Sequence, residues 1–220
     1  MDAPVFITGI GTGVGKTIAS AIITEALGGH YWKPVQAGLD ESTDTERIKT
    51  LISNPVSQVH EELYLLTLPA SPHLAARKDH LQIDIDTICQ RAHEMMEKSL
   101  NPLIIEGAGG LLVPLNENEK VLDLVVALKA KLIIVSRNYL GSINHSLLTA
   151  EKIKSTGNIS ARWIFNDHFM NYEDEIVKWS GIDSLGSIPF NAAPDTSFVS
   201  SQARRLKSAL THFVKVGLAT

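Results

Sequence analysis

The plainest chemistry in this sequence lies in a run of glycines that ends in lysine and threonine, Gly9-Ile10-Gly11-Thr12-Gly13-Val14-Gly15-Lys16-Thr17. Glycines let consecutive backbone N–H groups converge on a phosphate. An apolar run, Val5-Phe6-Ile7-Thr8, precedes the stretch and a helical pattern follows it. A helix N-terminus therefore adds partial positive charge at the same place. Lys16 can reach β- and γ-phosphates, and the Thr17 hydroxyl can ligate Mg²⁺. Strand, loop and helix in this order are what a Walker A loop requires. One spacing departs: the position five residues before Gly15 is Ile10, with Gly9 and Gly11 on either side. A dinucleotide site is the weaker reading, because it has no use for the lysine after Gly15.

An enzyme of Mg–ATP needs carboxylates opposite that loop. Leu103-Ile104-Ile105-Glu106 has the form of a Walker B strand with its acid at the carboxyl end, and Gly107-Ala108-Gly109-Gly110 follows. Those glycines permit close approach of backbone to a ligand. The other reading of Glu106 is a capping or solvated glutamate. Asp44, in a polar loop, is either a second metal ligand or a helix N-cap. Lys33 stands in Trp32-Lys33-Pro34-Val35, an otherwise strand-like run. A lysine there either meets an anion or snorkels from an edge strand.

These residues need a scaffold, and the pattern supplies one. Apolar runs at 5–8, 31–36, 103–105, 132–135, 163–165 and 185–188 read as strands. Helical spacing covers 16–27, 45–52 (capped near Ser42, Thr43 or Asp44), 81–99 (capped by Asp84 or Asp86), 121–129, 142–155, 172–179 and 197–216. Strands that are apolar on both faces belong in a buried parallel sheet. The expected fold is an α/β P-loop NTPase, a mostly parallel sheet with helices on both faces, forming one domain over residues 1–220. Ligands in such sheets bind beyond the carboxyl ends of the strands.

Composition sets bounds on function. The 220 residues are 44% hydrophobic and 20% charged, with a net charge of −4. No basic field invites nucleic acid. A lone cysteine, Cys89, allows neither an internal disulfide nor a Cys-based zinc site. The N-terminal Met1-Asp2-Ala3-Pro4 is no signal peptide, and no apolar run nears the roughly 20 residues that span a bilayer. A cytoplasmic protein without a membrane partner is expected.

Seven motifs together resemble the dethiobiotin synthetase family, in that family's order, from about Pro4 to Asn191. Besides the phosphate loop they are Lys33-Pro34-Val35-Gln36-Ala37-Gly38, Ser71-Pro72-His73, Glu106-Gly107-Ala108-Gly109-Gly110, Leu140-Gly141-Ser142-Ile143-Asn144-His145, Phe165-Asn166-Asp167 and Gly186-Ser187-Ile188-Pro189. The resemblance implies a homodimeric ligase that joins 7,8-diaminononanoate and CO₂, with ATP and Mg²⁺, into a cyclic urea. It implies ATP contacts at Gly13, Val14, Gly15, Lys16 and Thr17, at Asp44 and Glu106, and at Gly107, Ala108 and Gly109. Asn166, Asp167, Pro189, Phe190 and Asn191 would complete the nucleotide pocket. Mg²⁺ would sit on Thr17, Asp44 and Glu106. Lys16 would serve the phosphates and Lys33 the carbamate. Thr12, Lys33, Ala37, Gly141, Ile143 and Asn144 would touch the substrate, the last three across the dimer interface. Two positions depart from the family pattern. Gly13 stands where some members have an acid, and Ala37 where a hydroxyl residue is usual. Ser71-Pro72-His73 reads as a structural loop.

The competing reading is a regulatory ATPase of the partitioning or septum-positioning type. Those proteins usually carry a further lysine early in the phosphate loop, and Gly9 to Thr12 has none. Some also carry a terminal membrane helix. The stripe Val199, Ala203, Leu206, Leu210, Phe213 and Val214 reads as packing on the sheet, with a membrane surface as the alternative.

Overall fold

A computed structural model describes residues 3–39, 42–167 and 171–215. Met1, Asp2 and Val216, to which the sequence reading extended, lie outside the described residues. The chain runs β1 (Val5–Gly9), α1 (Lys16–Leu27), β2 (His30–Trp32), β3 (Val35–Ala37), α2 (Asp44–Leu51), β4 (Gln58–His60), β5 (Tyr64–Leu66), α3 (Pro72–Lys78) and α4 (Ile85–Glu97). It continues through β6 (Leu103–Gly110), α5 (Val121–Ala127), β7 (Lys131–Arg137), α6 (Ser142–Thr156), β8 (Ala161–Asn166), α7 (Glu173–Ser180), β9 (Ser184–Ile188) and α8 (Thr196–Lys215).

Seven strands form one sheet in the order β4-β2-β6-β1-β7-β8-β9, and every pair is parallel. Alternation along the strands divides the core in two. Phe6, Trp32, Ile105, Leu132, Ile134, Trp163 and Phe165 face α4, α5, α6 and α7. Val5, Ile7, Tyr31, Ile104, Ile133, Val135 and Ile164 face α1, α2 and α8. Both faces are covered, which is why the strands read as continuous apolar runs rather than alternating ones. Trp163, fully buried, still satisfies its indole N–H by donating to Ser180 Oγ at 3.0 Å.

The apolar stripe of α8 is spent inside the molecule: Val199, Ala203, Leu206, Leu210 and Phe213 are buried, packed with α1 and the sheet. That removes the basis for a membrane-binding stripe on this helix. Among the described residues, no helix is long and apolar enough to cross a membrane.

The strand expected over 31–36 is two strands in different sheets. β2 ends at Trp32, and β3 pairs in parallel with β5 as a separate two-stranded ribbon. Pro34 lies at the break, because it has no N–H to donate to a continuing ladder. Its carbonyl instead accepts from Leu63 N and Tyr64 N at 3.1 and 2.8 Å. β4, β5 and α3 have no counterpart in the sequence reading.

The register delivers the functional residues to one edge. Ile7 pairs with Glu106, and both Phe6 and Trp32 pair with Ile105. Lys33, one residue past Trp32, therefore emerges level with Glu106. The loop after β1 emerges beside both.

Candidate functional site

β1 delivers the glycine loop and α1 receives it. β1 ends at Gly9, where an added Cβ would lie 2.6 Å from Val14 Cγ2 and 2.8 Å from Gly11 O. Gly9 thus provides the tight turn that the strict motif assigns to the next position, while Ile10 packs partly into both cores. Gly15 caps α1 at φ 92°. A Cβ there would meet Asn166 Nδ2 at 2.0 Å. Asn166, at the end of β8, donates from Nδ2 to Val14 O at 2.9 Å and so ties the loop to the sheet. Gly13 also has positive φ, with open space around it.

Four side chains, from α1, α2, β6 and the link after β2, meet below the loop. Thr17, in the first turn of α1, donates from Oγ1 to Asp44 Oδ1 at 2.6 Å and stands 3.2 Å from Glu106 Oε1. Lys33 donates from Nζ to Asp44 Oδ2 and stands 3.6 Å from Glu106 Oε1. Asp44 is free for this because it is not the cap of α2. Thr43 takes that place, with Thr43 Oγ1 accepting from Glu46 N and Glu46 accepting from Thr43 N in a capping box. The N-cap alternative for Asp44 is thereby excluded. Glu106 is 1% exposed and accepts a further bond at Oε2 from Tyr31 OH, 3.1 Å away. That contact excludes the solvated-glutamate reading.

The electrostatics follow from this packing. Burial is the largest influence on Lys33 and lowers its pKa, but Glu106 and Asp44 together outweigh it and the ammonium is held above its ordinary value. Burial likewise raises Asp44, yet Lys33 and Thr17 hold its carboxyl below the usual range. Lys16 goes the other way: burial, with Lys33 adding repulsion, lowers its pKa against the pull of Glu106 and Asp44. Its Nζ donates to Gly11 O at 3.2 Å. Tyr31 is pushed far up by burial and by Glu106, so it stays a donor. Of the two readings of Lys33, the packing bears out the one that meets an anion: its ammonium faces Asp44 and Glu106 and does not snorkel from an edge strand.

A cavity of about 810 Å³ opens over these groups. Thr12, Gly13, Gly15, Lys16, Thr17, Lys33, Ala37, Asp44, Glu106, Ala108 and Gly109 line it, as do Asn166, Asp167, Pro189, Phe190 and Asn191. Five expected residues do not. Val14 is buried beneath the loop. Gly107 is packed where a Cβ would meet the Phe6 ring at 2.6 Å. Gly141, Ile143 and Asn144 sit at the start of α6, outside this cavity.

Residues to which the sequence reading gave no site role also line it. Ser71 and Pro72 do so at the start of α3, with Ser71 Oγ and His73 Nδ1 hydrogen-bonded at 3.0 Å. Ser71 and Pro72 thus belong to the cavity wall, and the Ser71–His73 hydrogen bond fits the structural-loop reading of this segment. Its match to the family motifs was the available signal. Arg47 and Arg137 line the cavity too, and Arg137 pairs with Asp167 Oδ2 at 3.3 Å. Tyr31 was legible only as a phenol among apolar strand residues two positions before Lys33.

Two carboxylates and a hydroxyl converge, and a cation, the Lys33 ammonium, already lies between the carboxylates. Such an oxygen set fits Mg²⁺, which keeps waters and phosphate oxygens for its remaining positions.

Comparison with known proteins bears on the whole chain. A family model described as an AAA domain matches residues 3–196. An ATP-dependent dethiobiotin synthetase of Cytophaga hutchinsonii is 47% identical over 82% of this chain and 85% of its own length. The enzyme of that name from Christiangramia forsetii is 41% identical over 96% and 99%. Among solved structures, the MinC:MinD cell division protein complex of Aquifex aeolicus aligns over 98% of this chain and 97% of that one, with TM-score 0.61 and 14% identity. A ParA family ATPase from Chlorobium tepidum aligns over 98% and 93%, with TM-score 0.58 and 17% identity. At those identities the likeness is one of fold.

Proposed function

Because this chain belongs to the dethiobiotin synthetase family, as an ATP-dependent ligase of biotin synthesis, we propose that it closes the cyclic urea of dethiobiotin from 7,8-diaminononanoate and CO₂. The observation that carries the reading is the meeting of Lys16, Thr17, Lys33, Asp44 and Glu106 at one end of a single cavity.

An uncharged amine of the substrate attacks CO₂, loses its proton and becomes a carbamate. One carbamate oxygen then attacks the γ-phosphorus in line, and the bond to the β-phosphate oxygen breaks to release ADP. The second amine attacks the carbonyl carbon of this carbamic–phosphoric anhydride, loses a proton and expels phosphate. Ring closure is intramolecular, so most of the proximity is supplied by the substrate itself. No protein nucleophile is needed. Lys16 and the loop amides follow the γ-phosphoryl group as its charge redistributes. Lys33 stabilises the carbamate, and as a nearby cation it disfavours the protonated diamine. Thr17, Asp44 and Glu106 would hold Mg²⁺, which would supply positive charge to offset that of the phosphates. Asn166, Asp167, Pro189, Phe190 and Asn191 enclose the adenine. Thr12 and Ala37 border the substrate, where Ala37 offers no hydroxyl and leaves Gln36 as the neighbouring polar side chain on the wall.

The turn at Gly141, Ile143 and Asn144 would take the substrate carboxylate on the N-terminus of α6, contributed by the second subunit of a homodimer. Supporting this, Leu140 and Leu148 beside it are 94% and 61% exposed, as apolar residues awaiting a partner are. Sedimentation under assay conditions measures the state; a fully active monomer contradicts it. We place the reaction in the cytoplasm, as one domain with no nucleic-acid or membrane partner.

ATP turnover should require both the diamine and bicarbonate, with one phosphate released per dethiobiotin. A coupled phosphate assay beside product quantification checks this. Steady ATP hydrolysis indifferent to the diamine would sink the reading in favour of a regulatory ATPase.

A further inference from the structure

Lys33 makes its ion pairs with the same two carboxylates that would hold the metal. Its ammonium binds Asp44 Oδ2 and stands 3.6 Å from Glu106 Oε1. Thr17 Oγ1 engages the other Asp44 oxygen and the same Glu106 oxygen, at 2.6 and 3.2 Å. Lys33 is 6% exposed and Glu106 1%, and charges buried this deeply need compensation at all times. In the resting site they compensate each other. A divalent cation on Thr17, Asp44 and Glu106 would claim Glu106 Oε1 and an Asp44 oxygen within a few ångströms of the ammonium. Two cations at that separation, sharing carboxylates away from bulk water, repel strongly.

We infer that Lys33 is the internal competitor of the divalent cation: it fills the cation position of the resting site, and a metal binds there only by displacing it from Asp44 and Glu106. Two consequences follow. The bare cation binds weakly, and firm loading waits for the negative charge that nucleotide phosphates bring. The event that loads the metal also releases the Lys33 ammonium from its carboxylates. Lys33 thereby becomes available to an incoming anion only once metal and nucleotide are in place. The inference rests on the metal assignment proposed above, to Thr17, Asp44 and Glu106, and not on the reaction.

The test is Mn²⁺ binding to the full chain without nucleotide, followed by electron paramagnetic resonance of the free ion. Lys33→Met should bind Mn²⁺ at least about tenfold more tightly than the parent chain, because the competing charge is gone. Lys33→Arg keeps a cation and should stay near the parent value. Adding Asp44→Asn to Lys33→Met should abolish the gain. Equal Mn²⁺ affinity of Lys33→Met and the parent overturns the competition. A gain that survives Asp44→Asn overturns the metal assignment instead, so the two failures are distinguishable. The parent chain gives an independent readout that needs no variant. Amine-reagent footprinting by mass spectrometry should show Lys33 protected alone and modified faster at saturating Mn²⁺. Unchanged protection at saturating Mn²⁺ overturns the inference as well.

Discussion

Lys33→Gln is expected to bind ATP as the parent chain does and to form dethiobiotin about 10²-fold more slowly, the usual loss for one electrostatic stabiliser of a transition state. ATP binding should persist because Lys16 and the loop amides are untouched, and Lys33 lies one residue past β2, outside the phosphate loop. Glutamine keeps most of the stem and removes the charge. The variant should also load metal more readily, since Asp44 and Glu106 lose their ammonium partner. Tighter metal with slower turnover is an unusual combination, and it separates a cation that serves the reaction from one that only neutralises carboxylates. Isothermal titration with ATP and a product assay measure the two halves. Near-full turnover, or lost ATP binding with substrate binding intact, contradicts the carbamate role.

Lys16→Gln should fail differently, with nucleotide binding and turnover falling together, turnover by about 10²-fold or more. Lys16 is 8% exposed, and its only hydrogen bond among the described residues runs to Gly11 O in its own loop. Burial and the neighbouring Lys33 charge both work against its protonation. A bound triphosphate supplies the opposite charge that this arrangement lacks, so Lys16 gains most when nucleotide arrives. Equilibrium ATP binding beside kcat measures the effect. A variant that binds ATP normally and loses only kcat would contradict it.

Much of the molecule could be read from its residues, for reasons specific to each. The bounds of α1 follow from Lys16 after the loop and Gly28 at its end, where the backbone turns left-handed at φ 60°. Central strands announced themselves because both faces are covered. Glu106 and Lys33 were legible as candidates because an ionisable residue at the end of an apolar strand is costly without a partner. What could not be read was which partner. That depends on the register that sets Trp32 against Ile105 and so Lys33 beside Glu106. β4 and β5, three residues each, are too short to show a period and exist only through tertiary pairing. The break at Pro34 and the cavity-lining place of Ser71 and Pro72 depend on the small β3–β5 ribbon and on α3, which local pattern does not disclose. The likeness to MinD and ParA proteins is real at the level of the sheet. The sequence argument against their mode of action, the missing early lysine, agrees with the 41–47% identity to dethiobiotin synthetases.

The carbamate route makes one firm demand on where an oxygen ends. The oxygen that attacks the γ-phosphorus comes from CO₂ and departs on the phosphate. The direct measurement is therefore a short incubation of the enzyme with 7,8-diaminononanoate, ¹⁸O-labelled bicarbonate and Mg–ATP, with mass analysis of both products. The expected result is dethiobiotin together with inorganic phosphate that carries one ¹⁸O for each ring closed. Dethiobiotin formed alongside unlabelled phosphate would contradict the carbamic–phosphoric anhydride, and phosphate released with no dethiobiotin would contradict the ligase reading itself.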